Sequence, residues 1–247
     1  MKKGLIVFAS FALLLSVGFP AFSQAPSRSV ETVMIDDFDG NNQEVDWTWN
    51  VQASRFVTEG YPIINTFEAM PNSLKAITKA DETHKVIGVK VKFDRKGDNW
   101  FEIYPEKDGK PYEIEFKGNV RTLDFWVWGA HYLYFLDVLV RDADGRIHII
   151  PAGNLAFDGW KNVIVEIPTY IRQHSRLRSG PENMTFVGFR ITTDPAEFVD
   201  DYMVYFDHFK YSTSALAYIF DGYELQKTDF GDNSSNSATN NSKGEGQ

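Results

Sequence analysis

Leu136-Asp137-Val138-Leu139-Val140-Arg141-Asp142-Ala143-Asp144-Gly145-Arg146-Ile147-His148-Ile149-Ile150 is the stretch whose reading decides the fold. Two runs rich in branched side chains flank four residues of Asp, Ala and Gly type. Branched residues suit a pleated strand, and Asp and Gly supply the tight reversal. The stretch therefore predicts an antiparallel hairpin, the sharpest local signal in the chain.

Outward from it the same grammar recurs. Ile87, Val89, Val91 and Phe93 alternate with Gly88, Lys90 and Lys92, a period of two that marks a half-buried strand. Tyr112, Ile114 and Phe116 alternate with Glu113 and Glu115 in the same way. Further strands are expected at Leu123–Trp128, Val163–Ile167, Phe186–Thr192 and Met203–Tyr211, with Val163, Val165 and Ile167 turned to the core of an inner strand. About eight to ten short strands with regular turn signals predict an all-β, antiparallel β-sandwich. A short helix is expected over Thr169–Arg178 after Pro168, and a second helix or a strand over Ala215–Leu225. Gln52–Asp81 has no clean period and reads as loops with one or two weak strands.

The ends have a different character. Lys2 and Lys3, the apolar run Gly4–Phe19 and the small-residue pattern Ala21-Phe22-Ser23 form a secretory signal peptide over residues 1–23. The apolar run falls short of the ~20 residues a spanning helix needs, so no membrane insertion is expected after cleavage. Residues 24–33 read as a polar leader, 34–227 as the sandwich domain, and 228–247, rich in Asn and Ser, as a disordered tail. Cleavage removes two lysines and no acid, so the formal charge goes from −9 to −9 − 2 = −11. Such an acidic chain is a poor partner for nucleic acid, whose binding requires Lys and Arg to neutralise phosphates. The chain has no cysteine, which excludes disulfides, thiolate metal sites and thiol nucleophiles.

Enzyme signatures are sparse. The nucleophile-elbow, metalloprotease, P-loop and dinucleotide motifs are absent, and the five histidines have no metal-ligand spacing. Glu113 and Glu115 share one strand face, as paired carboxylates of sandwich glycosidases do, but Gly118 stands where a third acid would. They read as a solvated face, and no catalytic residue is assigned. Asp36, Asp37, Asp39 and Asn41 are dense in oxygen ligands but break the EF-hand pattern at Asn42 and Thr48. In Leu123–Trp128 one face carries Leu123, Phe125 and Val127, the other Asp124, Trp126 and Trp128. Either this strand is covered on both sides or it shows two tryptophans outward. With Tyr132 and Tyr134 following, Trp126, Trp128, Tyr132 and Tyr134 are the candidate partner-contact patch, since Trp and Tyr anchor interfaces and stack on sugars alike.

Read in order, Ile35-Asp36-Asp37-Phe38, Leu123–Gly129, Gly159-Trp160-Lys161-Asn162-Val163 with Ile167-Pro168, and Thr193-Asp194-Pro195 form a pattern. Tyr202–Lys210 and Phe220-Asp221-Gly222-Tyr223-Glu224-Leu225 complete it. Its outline looks like the jelly-roll sandwiches of carbohydrate-binding modules. Its finer detail resembles the FlaA family of spirochaetes, the outer-layer or sheath proteins of the periplasmic flagellar filament. The resemblance implies a non-enzymatic coat subunit of the periplasm that partners core flagellin and other sheath proteins; the alternative is an exported carbohydrate-binding module. In jelly rolls of this outline the opening segment and closing strand run close together, which would gather Asp36, Asp37 and Asp207. A structural calcium, Lys210 or protonation would then have to offset their repulsion.

Overall fold

The computed structural model describes residues 28–40, 45–76, 83–175 and 183–216. Thirteen strands appear in chain order: β1 (Arg28–Asp36), β2 (Thr48–Ala53), β3 (Ile63–Glu68), β4 (Lys85–Val91) and β5 (Trp100–Lys107). β6 (Lys110–Pro111), β7 (Ile114–Glu115), β8 (Asn119–Ala130) and β9 (Tyr134–Arg141) follow. The series closes with β10 (Ile147–Asn154), β11 (Asp158–Glu166), β12 (Thr185–Thr193) and β13 (Tyr202–Leu216). Sheet I runs β11-β8-β13-β4-β3, with β1 alongside the second half of β13. Sheet II runs β10-β9-β12-β5-β2, with β6 on β5 and β7 on β12. All pairings are antiparallel.

The hairpin forms as expected between β9 and β10. Asp142 closes it: its Oδ1 accepts from the Asp144 and Arg146 amides at 3.0 and 2.8 Å, and Gly145 takes a left-handed φ of 92°. An Asp side chain that caps its own turn is why this signal was legible.

Between the sheets lies an aromatic core. Phe189 stacks on Phe206 at 4.8 Å and meets Phe125 at 4.9 Å, while Phe186 packs on Phe209 at 4.7 Å. Phe125, Phe189, Phe206 and Phe209 are fully buried. Phe206 and Phe209, like Phe186 and Phe189, are three residues apart, and a register shift in each strand brings both to the core side, where each buried ring contributes about 1.5–3 kcal/mol.

Three expectations need correction. Residues 28–33 are not leader but β1, zipped from Arg28↔Leu216 to Asp36↔Phe209. Residues 30–32 and Met34 are all exposed, so the stretch has no apolar alternation by which a strand could be read. Within Thr169–Arg178 the described part, to Ser175, is not helical. Its backbone bonds outward, Ala143 donating to the Arg172 carbonyl and Met184 to that of Gln173, both at 2.8 Å, so it cannot also close helical turns. β11 is an edge strand rather than an inner one, although Val163, Val165 and Ile167 are buried as expected. β13 extends through Ala215 and Leu216 as a strand. The signal peptide, residues 24–27 of the leader, residues 217–225 and the 228–247 tail lie outside the described residues.

Candidate interaction face

The outer surface of sheet I is built by strand register. Trp160 of β11 lies opposite Trp128 of β8, Trp128 opposite Tyr205 of β13, and Tyr205 opposite Gly88 of β4. One cross-strand row thus carries three rings, then a glycine, and ends on Asn65 of β3. A methyl group on Gly88 would lie 2.6 Å from the Tyr205 ring and 2.8 Å from Phe67 of β3. The absent side chain lets Tyr205 lie across the backbone, and no larger residue fits there. Trp128 and Phe67 stand edge-on to Tyr205, at 5.5 and 5.7 Å with ring planes 81° and 80° apart. T-shaped pairs of this kind add about 0.5–1.5 kcal/mol beyond burial. In the next row Trp126 sits between Asn162 and Asp207.

Of the four expected contact residues, Trp126 and Trp128 lie on this face and are half-buried. Tyr132 and Tyr134 do not. Tyr134 opens β9 in the opposite sheet and is fully buried, its ring 4.2 Å from Tyr202 and its hydroxyl donating to the Phe198 carbonyl at 2.8 Å. Burial pushes its phenol well above the ordinary tyrosine range. Tyr132 packs edge-on against Tyr134 and Tyr202 and donates to the Asp200 carbonyl at 3.0 Å, fastening the 194–201 loop. The signal was present: Tyr134 shares parity with Leu136, Val138 and Val140, all buried. His131, with φ of 61°, breaks the chain between β8 and β9, so the Trp parity of β8 does not carry across. Trp160, Tyr205 and Phe67 went unnoticed because cross-strand register is invisible before pairing is known. The isolated Gly88 inside a strand pattern was the one local hint of close approach.

Asp36, Asp37 and Asp207 are each satisfied separately. Asp36 accepts from the Trp49 indole and the Phe38 amide, both at 2.8 Å; burial raises its pKa, against those bonds. Asp37 accepts from the Asp39 amide at 3.2 Å. Asp39, in turn, holds the Lys85 amide at 2.6 Å and the His84 ring at 3.0 Å. Asp207, also raised by burial, accepts from His208 Nδ1 at 2.8 Å, and that bond raises the His208 pKa. Lys210 reaches Asp124 at 3.6 Å. Among the described residues no group of three or more His, Asp or Glu is arranged to hold a metal ion. Glu113 is clamped by Arg141 at 2.8 Å and takes the Thr185 hydroxyl at 2.6 Å, while Glu115 accepts from Asn183 at 2.8 Å. These two are structural partners of β9 and β12.

Taken together, the chain is a two-sheet antiparallel β-sandwich with a row of rings across the outer face of one sheet. Residues 28–217 match the family described as flagellar filament outer layer protein FlaA, and the chain belongs to that family. A putative flagellar filament outer layer-like protein of Brachyspira hyodysenteriae is 26% identical over 182 residues, 73% of this chain and 78% of that protein. The flagellar filament outer layer protein of Treponema pallidum is 30% identical over 114 residues, 42% of this chain and 33% of that one. Among solved structures, a carbohydrate-binding module of the β-sandwich superfamily aligns with a TM-score of 0.42 at 13% identity, over 72% of this chain and 61% of that one. The family 11 module of a Clostridium thermocellum cellulase gives 0.37 at 13%, over 78% and 99%. Nothing about a ligand follows from likenesses this distant.

Proposed function

We propose that this chain is a non-enzymatic structural subunit of the periplasmic flagellar sheath, laid against core flagellin and other sheath proteins in support of motility. Family membership supports the setting, and the signal-like N-terminus supports export. The observation that carries the reading is the outer face of sheet I, where Trp126, Trp128, Trp160, Tyr205 and Phe67 present rings to the surface. Exposed apolar surface rimmed by polar residues marks a contact site, and Trp and Tyr are the side chains that anchor such contacts. A coat also needs different patches on different faces, because repeated heterologous contacts build open helical assemblies. The test is to isolate filaments from a producing strain and probe them for the chain. Presence in the filament fraction, lost on Trp126→Ala with Trp128→Ala, is expected. Abundance elsewhere in the periplasm with none on filaments overturns the reading.

One observation favours a second reading, carbohydrate binding. Tyr205 lies across Gly88 between the upright rings of Trp128 and Phe67, a trough in which a sugar ring could stack. Glycan pull-down abolished by Tyr205→Ala, with filament retention intact, would select it.

A further inference from the structure

At the open edge of sheet I, β3 pairs with β4 alone, in unbroken register from Ile63↔Lys90 to Glu68↔Lys85. Among the described residues its other side has no strand partner. Edge strands are normally blunted by Pro, Lys or a bulge. Here β10 carries Pro151 and a bulge before Gly153, and β11 carries Lys161. β3 carries none of these between Ile63 and Phe67, and those two side chains are 42% and 46% exposed.

Both sides of this edge are hollow. On the outer face a groove of about 260 Å³ is lined by Ile63, Phe67, Tyr205 and Met203. On the inner side, between β3 and β2, a cleft of about 310 Å³ is lined by Ile64, Thr66, Trp47 and Trp49. Successive side chains of a strand point to opposite faces. A strand laid along β3 therefore sets its inward side chains at the mouth of the inner cleft and its outward ones beside Ile63 and Phe67, the arrangement by which strand addition obtains affinity from backbone and specificity from side-chain contacts.

The sequence of β3 is itself the complement. Ile63 precedes Asn65 by two residues and Phe67 follows it by two, all three on the outer parity. In an antiparallel pair centred on Asn65, Ile63 of one copy meets Phe67 of the other, twice over. Ile64 meets Thr66 on the inner side. No charge lies between Ile63 and Phe67, so no like charges are opposed. We propose that β3 is a self-association edge: two copies pair β3 to β3 about a two-fold axis through Asn65, continuing sheet I from one molecule into the next. This is an isologous contact; it shares Phe67 with the ring-lined face proposed to meet the filament, whose Trp126, Trp128 and Trp160 lie on strands away from this edge.

The test uses the purified protein without filaments, so its outcome is independent of the sheath reading. Light scattering after gel filtration should give twice the single-chain mass at tens of micromolar. Because the chain has no cysteine, Asn65→Cys adds a lone thiol. Directly opposed residues of paired strands have Cα atoms about 4.5–5.5 Å apart, within the range of about 4.4–6.8 Å that a disulfide spans. Mild oxidation should therefore link Asn65→Cys copies into a covalent dimer, while Thr169→Cys, on an exposed loop, should link at least tenfold more slowly. Asn65→Lys, which sets two ammonium groups on the axis, should halve the mass without changing the circular dichroism. A monomer at all concentrations overturns the proposal. So does a dimer that Asn65→Cys does not link or that Asn65→Lys leaves intact, since it uses another surface.

Discussion

The two outer faces of the sandwich share one core and one pairing rule, yet their central rows are built in opposite ways, although sheet II also exposes Phe135, Ile147 and Ile149 and sheet I also pairs Asn162 with Asp124. On sheet II the row Pro151–Asp137–Arg190–Glu102–Gln52 crosses five strands by register. Arg190 donates to Glu102 at 2.6 Å, Gln52 donates to the other Glu102 oxygen at 2.7 Å, and Asn50 donates to Glu106 at 2.6 Å. That face spends its polar groups on itself. On sheet I the corresponding row is Trp160–Trp128–Tyr205–Gly88, whose rings make edge contacts and leave apolar surface open to water. A face that satisfies its own hydrogen bonds gains little from a partner; one that exposes rings gains from every square ångström it covers.

The comparison breaks first at the core. Phe125 underlies both faces, and Phe125→Ala should cost about 3–5 kcal/mol in denaturant unfolding, taking both down together. A loss under about 1 kcal/mol would mean that the sheets do not depend on that shared layer. Next in size is the polar face. Glu102→Ala strands the Arg190 guanidinium and the Gln52 amide and should cost about 2 kcal/mol. Unchanged stability would show that the row is decorative.

Trp126→Ala sharpens the contrast from the other side. It should cost about 1 kcal/mol or less in stability, while filament retention falls severalfold, because a contact face is built for a partner rather than for the fold. A stability loss equal to that of Glu102→Ala would make the rings a structural layer instead. The smallest effect is with pH. Asp207 raises the His208 pKa above that of the unfolded chain, with Asp37 and Asp39 adding to it. The stability from protonated His208 is therefore complete below about pH 6.5 and is lost as pH rises through the raised value. The melting temperature should fall gently over that interval, and His208→Gln should flatten the slope; an unchanged slope removes the linkage.

Much of the fold was legible because strand parity is local. Leu123, Phe125 and Val127 on one side and Trp126 and Trp128 on the other could be read from six residues, and the structure keeps that division. The 136–150 hairpin was legible because Asp142 and Gly145 write their own turn. The candidate patch was only half legible. Tyr134 follows Trp128 closely in sequence but belongs to the other sheet, since the chain crosses over at His131. Trp160, Tyr205 and Phe67 join Trp128 from strands scattered along the chain, and no local period encodes that meeting. Within the expected helix the described residues to Ser175 are not helical for the same reason: the carbonyls of Arg172 and Gln173 are claimed by the hairpin turn and by Met184 ahead of β12, partners that propensity cannot see.

The place of β13 has a consequence in time. It is the last described strand, yet it lies in the middle of sheet I, between β8 on one side and β4 and β1 on the other. Sheet II has every strand once Thr193 is made. A chain emerging N-terminus first therefore carries β1, β4 and β8 as separate pieces until Tyr202–Leu216 appears and joins all three. Pairings so distant along the chain also form slowly. Sheet I therefore stays open, with sheet II already complete in its strands, until Tyr202–Leu216 has been made.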